Sequence, residues 1–212
     1  MNIAVIGLGN IGTKLATNLT AGGQKIIVAD KTPAKADKLA GDLGSNASPM
    51  SVSDAIGKAD VVILAIYFDA IKEMVTTYRS GLTGKIIVDP SNPIAPDGHG
   101  GFKKTIPAEQ SSGQIISALL PEGSELVKAF GTLGAESLAS GANRSPERAV
   151  LFYATDYPEA GAVVAKLIAA SGFSPVSVGG IDKSVRIEVG GDLHEFGKLG
   201  KLVSIKEAEP LV

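Results

Sequence analysis

Residues 2–12, NIAVIGLGNIG, join a short apolar run to three glycines spaced Gly-x-Gly-x-x-Gly. The run suits a strand buried on both faces of a parallel sheet. Ile11, Leu15 and Leu19 then fall at helical spacing, and Gly22 and Gly23 stop that helix. KIIVAD, residues 25–30, is a second strand, so the opening stretch is a βαβ unit. In such a unit Gly7 permits the tight turn, Gly9 lets the backbone approach a pyrophosphate, and Gly12 lets helix and strand pack closely. The N–H groups of Asn10 and Ile11, at the helix N-terminus, would carry the pyrophosphate. The pattern therefore predicts a dinucleotide site.

The alternation continues along the chain. Ala36, Leu39, Ala40 and Leu43 mark a second helix between Pro33 and Gly44. SVSDAIGKA predicts a short helix capped by Ser51 or Ser53. DVVILAI is a strand, DAIKEMVTTYRSG its helix, and KIIVDPSNP a strand entering a proline turn. Residues 94–105 read as a Gly/Pro-rich loop, AEQSSGQIISALL as a helix and SELVKAF as a strand. The segment 131–148 is weakly patterned and reads as a lid or a connection. AVLFYAT predicts a strand, followed by a helix capped by Asp156 with Glu159 as capping-box partner. FSPVSVGG adds a strand, and the tail from Ile181 has no readable period. The expected fold is α/β: a Rossmann-type doubly wound parallel sheet over residues 1–129, with residues 130–212 a smaller C-terminal α/β lobe completing the substrate crevice.

In such sheets ligands lie outside the carboxyl ends of the strands. The end of the second strand carries Asp30, 18 positions beyond Gly12, followed by Lys31 and Thr32. A carboxylate there suits the free ribose hydroxyls of NAD, whereas a cation and a hydroxyl suit the extra phosphate of NADP. Ala65, Ile66 and Tyr67 end the next strand, and Asp89, Pro90, Ser91, Asn92 and Pro93 the one after; both groups are expected to line the crevice. His99 and His194 are the only histidines, both read as loop or surface residues, and they lack metal-ligand spacing. No metal site is expected. Neither G-x-S-x-G nor G-x-x-x-x-G-K-[ST] occurs, which leaves hydrolase and P-loop chemistry without a motif. A net charge of −2 gives no electrostatic reason for a nucleic-acid or membrane partner. Cysteine is absent, so thiolate chemistry is excluded. The start is too short for a spanning helix and lacks signal-peptide features, so a cytoplasmic protein acting on a small molecule is expected.

The stretches MNIAVIGLGNIG, KIIVADKTPAKA, ADVVILAIYFDAI, GKIIVDPSNP and LVKAF resemble the NADP oxidoreductase, coenzyme F420-dependent family. That family includes NADPH:F420 oxidoreductases and the reductase domains of STEAP-type metalloreductases. The resemblance implies hydride transfer between NADP(H) and a planar flavin or deazaflavin F420 held face to face. Gly7, Gly9, Asn10, Ile11 and Gly12 would then hold the pyrophosphate, and Ala65 to Tyr67 would flank the nicotinamide half. Pro90 to Pro93 and Phe130, Gly131, Thr132 and Leu133 would border the second ring. Two positions depart from the family pattern. Asp30-Lys31 stands where many members have a neutral-then-basic pair, so NADP is expected through Lys31 and Thr32, with NAD left open. Gly131 stands where many carry Asn or His. Two other readings remain: a non-catalytic redox-sensing module, and an imine or carbonyl reductase with Tyr67 as proton donor. A homodimer is compatible with all three.

Overall fold

The computed structural model describes residues 1–99 and 101–212. Its first half runs β1 (Ile3–Ile6), α1 (Asn10–Ala21), β2 (Ile26–Ala29), α2 (Pro33–Leu43), β3 (Ala47–Pro49), α3 (Val52–Lys58), β4 (Val61–Leu64), α4 (Phe68–Thr77), α5 (Arg79–Leu82) and β5 (Ile86–Asp89). The rest is β6 (Ile94–Pro96), β7 (Phe102–Lys104), α6 (Ser112–Leu119), β8 (Glu125–Ala129), α7 (Ala135–Ser140), β9 (Val150–Ala154), α8 (Pro158–Ala170), β10 (Ser174–Ser177) and α9 (Ile205–Ala208).

Eight strands form one sheet in the order β10-β9-β8-β5-β4-β1-β2-β3. From β3 to β8 every pair is parallel, which is the doubly wound order with its switch point between β1 and β4. Strand residues alternate between two cores. Ile3 and Val5 of β1 pack with Leu15 and Leu19 of α1 and with α2 and α8. Ala4 and Ile6 pack on the opposite face with Ile56 of α3, Ile71 of α4 and Ile116 of α6. Burial on both faces is why these strands read as continuous apolar runs.

Residues 130–212, expected as a separate small lobe, add their two strands to the edge of the same sheet. β9 runs antiparallel to β8, and β10 runs parallel to β9. One face of β9 and β10 lies against α8; the other is covered by the tail, through Val178, Ile187, Leu193, Val203 and Ala208. The tail is mostly irregular, with a 3-10 stretch at Ile181–Ile187, so its apolar residues carry no period.

Three local expectations are corrected. Within the stretch 94–105, expected as a plain loop, Ile94–Pro96 and Phe102–Lys104 pair as antiparallel strands β6 and β7, residue 100 lying outside the described residues. Asp156 does not cap α8: Tyr157 is at the N-cap, and Asp156 Oδ1 instead accepts from the N–H of Ile181 at 2.9 Å. With Pro158 opening the helix, one N–H that a cap would satisfy is missing. Within 131–148, α7 packs Leu138 into the core beside α1, and Asn18 Nδ2 donates to the Leu138 carbonyl. Ser51 does cap α3, accepting from Asp54 N–H at 3.1 Å.

At the carboxyl end of β8 sits Lys128, 1% exposed. Its ammonium donates to Asp89 Oδ2 at 2.8 Å, to the Ser91 carbonyl, and to Ser112 Oγ at 2.8 Å. Lysine in a buried strand is tolerated because all three protons find oxygen. Replacing Lys128 by Met leaves the Asp89 carboxylate buried without its cation, and should destabilise the fold by about 3–5 kcal/mol. Urea denaturation reads the loss, and adding Asp89→Leu should recover most of it.

Candidate cofactor and acceptor site

The glycine turn behaves as its three roles require. Gly7 has φ of 90°, and a Cβ there would sit 2.3 Å from Ile66 Cγ2 and 2.6 Å from the Ala65 carbonyl oxygen. A Cβ on Gly12 would lie 1.8 Å from the Gly7 carbonyl oxygen, so α1 reaches its place against the turn only with glycine. At Gly9, by contrast, no atom comes within 4 Å of a built Cβ. Gly9 is thus where the backbone is bare to an incoming group. The N–H of Thr13 donates to the Gly9 carbonyl, which leaves Asn10, Ile11 and Gly12 N–H without partners inside the helix. Bare backbone, free N–H groups and the positive end of a 12-residue helix fit a pyrophosphate.

Asp30 is turned inward. It is 8% exposed, and its Oδ2 accepts from Leu8 N–H at 2.8 Å while Oδ1 accepts from Thr32 N–H at 2.9 Å. The carboxylate therefore ties the glycine turn to the start of α2. Lys31 and Thr32 are exposed beside it.

At the strand ends, Ala65 and Ile66 are half-buried against the glycine turn, and Tyr67 is 86% exposed. Asp89 is fully buried, with Oδ2 on Lys128 and Oδ1 accepting from Ser91 N–H at 2.8 Å, so it shapes the turn that follows β5. Pro90, Ser91 and Pro93 are buried, and Asn92 is half-buried. Phe130 and Leu133 belong to the core, Phe130 with a left-handed φ of 66°. That conformation is costly for a bulky residue, and the surrounding packing holds it. Gly131 is required sterically: a Cβ there would lie 2.7 Å from the Pro90 carbonyl oxygen.

The C-terminal segment completes this end. Asn92 Nδ2 donates to the Gly131 carbonyl at 2.9 Å, and Asn92 Oδ1 accepts from Val189 N–H at 2.7 Å. Glu188 Oε1 accepts from Ser112 Oγ and from Gly113 N–H. Glu195 N–H donates to the Thr132 carbonyl, and the Glu195 carboxylate receives Gly134 N–H and Ser137 Oγ. Lys128 had a sequence signal, a cation inside the apolar strand ELVKAF. Glu188 and Glu195, in a tail without period, had none. His99 lies in an exposed loop, its N–H on Asp97 Oδ1. Among the described residues, no group of three or more His, Cys, Asp or Glu is arranged to hold a metal, and no helix is long and apolar enough to cross a membrane.

His194, expected as a loop or surface residue, lies in irregular backbone but is 1% exposed. Its Nε2–H donates to the Gly131 carbonyl at 2.8 Å, and its Nδ1 accepts from Phe196 N–H at 2.9 Å. Both bonds are those of a neutral ring. Burial pushes its pKa down from 6.5 to about 4, against the Gly131 carbonyl and Glu195, which favour the cation. The unfolded chain thus takes up a proton that the folded chain refuses between those values. Stability should be level above about pH 6.5 and fall by about 2–4 kcal/mol as pH drops towards 4. Urea midpoints across that range measure the slope, which His194→Gln should flatten.

Comparison with known proteins places this geometry. The sequence profile of the family described as NADP oxidoreductase, coenzyme F420-dependent, matches residues 2–93. A hypothetical protein from Sinorhizobium meliloti is 33% identical, with a TM-score of 0.84, over 96% of this chain and 95% of its own. A protein from an Arthrobacter species, described as an F420-dependent NADP reductase, is 21% identical over 86% of both chains, with a TM-score of 0.74. A reductive aminase from Aspergillus terreus, solved with NADPH and ethyl levulinate, shares the fold at 21% identity and a TM-score of 0.62, over 87% of this chain and 56% of its own. No curated protein matches at a significant level. Residues 2–93 thus carry the profile of the NADP oxidoreductase, coenzyme F420-dependent family, and the chain is an NAD(P)H-dependent oxidoreductase.

Proposed function

We propose that the protein transfers a hydride between NADP(H) and a planar acceptor, a flavin or deazaflavin, bound beside the carboxyl ends of β4, β5 and β8. The nicotinamide would supply the hydride, and the protein would supply position and exclusion of water. Asn10, Ile11 and Gly12 would hold the pyrophosphate through their N–H groups. The turns at 65–67 and 90–93 would flank the nicotinamide half, and the acceptor would lie towards Gly131 and Thr132. A site of this kind needs face-to-face proximity rather than a strong acid–base pair. The neutral, doubly bonded His194 suits that demand.

The observation that carries the NADP preference is the inward carboxylate of Asp30. With both oxygens already accepting backbone N–H bonds, it does not compete for the ribose edge as a free carboxylate would. The exposed Lys31 and Thr32 are left to receive a 2′-phosphate. Lys31→Ala should therefore weaken NADPH binding by about tenfold and NADH binding much less. Asp30→Ser should weaken both by about tenfold or more, because Leu8 and Thr32 N–H lose a charged acceptor and the turn loosens. Titration of each variant with the two dinucleotides separates these effects. A selective gain in NADPH affinity for Asp30→Ser would put the carboxylate against the phosphate and sink this assignment.

The acceptor is tested by steady-state oxidation of NADPH with FMN, a deazaflavin, and small imines and ketones in parallel. Turnover with the planar rings alone is the expected result. Turnover confined to imines or ketones would transfer the site to the carbonyl-reductase class, and binding without turnover to a redox-sensing module.

A further inference from the structure

Phe196, in the tail that follows Ile181, stays outside the core at 60% exposed. Its position is nonetheless fixed. Its N–H donates to His194 Nδ1, and His194 Nε2–H is anchored on the Gly131 carbonyl. The two rings stand 5.6 Å apart at 40°. The preceding residue, Glu195, is fastened to Thr132, Gly134 and Ser137. The segment is also braced internally: Gly197 N–H donates to the His194 carbonyl, and a Cβ on Gly197 would lie 1.9 Å from the Gly191 carbonyl oxygen. An apolar ring is thus held in water by polar bonds, beside the ends of β5 and β8.

A second observation at the same strand ends points to a ligand. Ser91 Oγ and Thr132 Oγ1 are buried and have no hydrogen-bond partner among the described residues, with Ser91 7% and Thr132 2% exposed. Buried hydroxyls are normally paired. These two belong to the residues next to Asn92 and Gly131, whose side chain and carbonyl bond each other at 2.9 Å. These strand ends therefore combine unsatisfied hydroxyls with an aromatic ring held largely exposed.

We propose that Phe196 is the outer wall of the acceptor site and stacks on the planar second substrate, with the hydroxyls of Ser91 and Thr132 serving that substrate's polar edge. The assignment rests on the planar-acceptor reading above, and makes Phe196 the residue that selects for an extended flat ring. Aromatic stacking supplies affinity for a ring of any substitution pattern, while the hydroxyls orient it.

The chain contains no tryptophan, so Phe196→Trp installs a single indole fluorophore at the proposed wall. Titrating this variant with FMN or a deazaflavin, with NADP+ present, should quench its emission in a saturable way. In turnover, Phe196→Ala should raise the KM for the planar acceptor by about tenfold while leaving NADPH affinity unchanged, and Phe196→Tyr should restore it. Thr132→Val should likewise raise that KM. Indole emission that stays unquenched in Phe196→Trp, or an unaltered KM in Phe196→Ala, overturns the assignment. Saturable quenching in a protein that turns over neither ring supports Phe196 as the stacking wall and overturns hydride transfer to these acceptors instead.

Discussion

The ammonium of Lys128 ties together the carboxyl ends of β5 and β8 and the start of α6. Three oxygens, one each from Asp89, Ser91 and Ser112, converge on it at hydrogen-bond distance. A cation removed from water accepts nothing less, since each unpaired proton would leave a large desolvation cost uncompensated. Satisfying it draws the end of β5, the turn after it and the start of α6 onto the end of β8. Ser112 then hands the connection on to Glu188, whose Oε1 also receives Gly113 N–H. The C-terminal segment is thereby brought to the carboxyl edge of the sheet, where Asn92, Gly131 and Thr132 hold it. One buried charge thus organises elements far apart in the chain.

At the other end of the crevice the same logic appears with a carboxylate. Asp30 is held by two backbone N–H groups, one from the glycine turn and one from the start of α2. Its spacing from the glycine turn and its inward orientation are separate facts. The sequence carries the first, and only the hydrogen-bond partners establish the second. A carboxylate at this position is therefore no clear sign of NAD use, because its lone pairs are already directed at the protein.

The βαβ unit was legible because each of its signals reports a local requirement. A run buried on both faces, a positive φ at Gly7 and a carbonyl that a Cβ on Gly12 would meet at 1.8 Å all restrict residue type at single positions. The pairing of β6 with β7 was hidden by turn-forming Gly and Pro, which mark where a chain bends but not what it pairs with. Asp156 and Glu159 satisfy a capping pattern, yet the Ile181 N–H competes for Asp156 from 25 residues away. The tail was illegible for a different reason. Val178, Ile187, Leu193 and Val203 cover β9 from irregular backbone, so their burial follows from the sheet face they meet and leaves no period in the chain.

Gly131 shows how an apparent loss can be a structural gain. By comparison with a residue such as Asn or His, it places no side chain at the end of β8. In place, that absence lets the Pro90 carbonyl approach and leaves the Gly131 carbonyl open to both Asn92 and His194. A side chain at 131 would occupy the space through which the strand ends meet. The imidazole beside Gly131 is that of His194, which is neutral and spends both nitrogens on backbone groups. The contacts at the end of β8 are thus completed by the C-terminal segment, a stretch of chain that carries no motif.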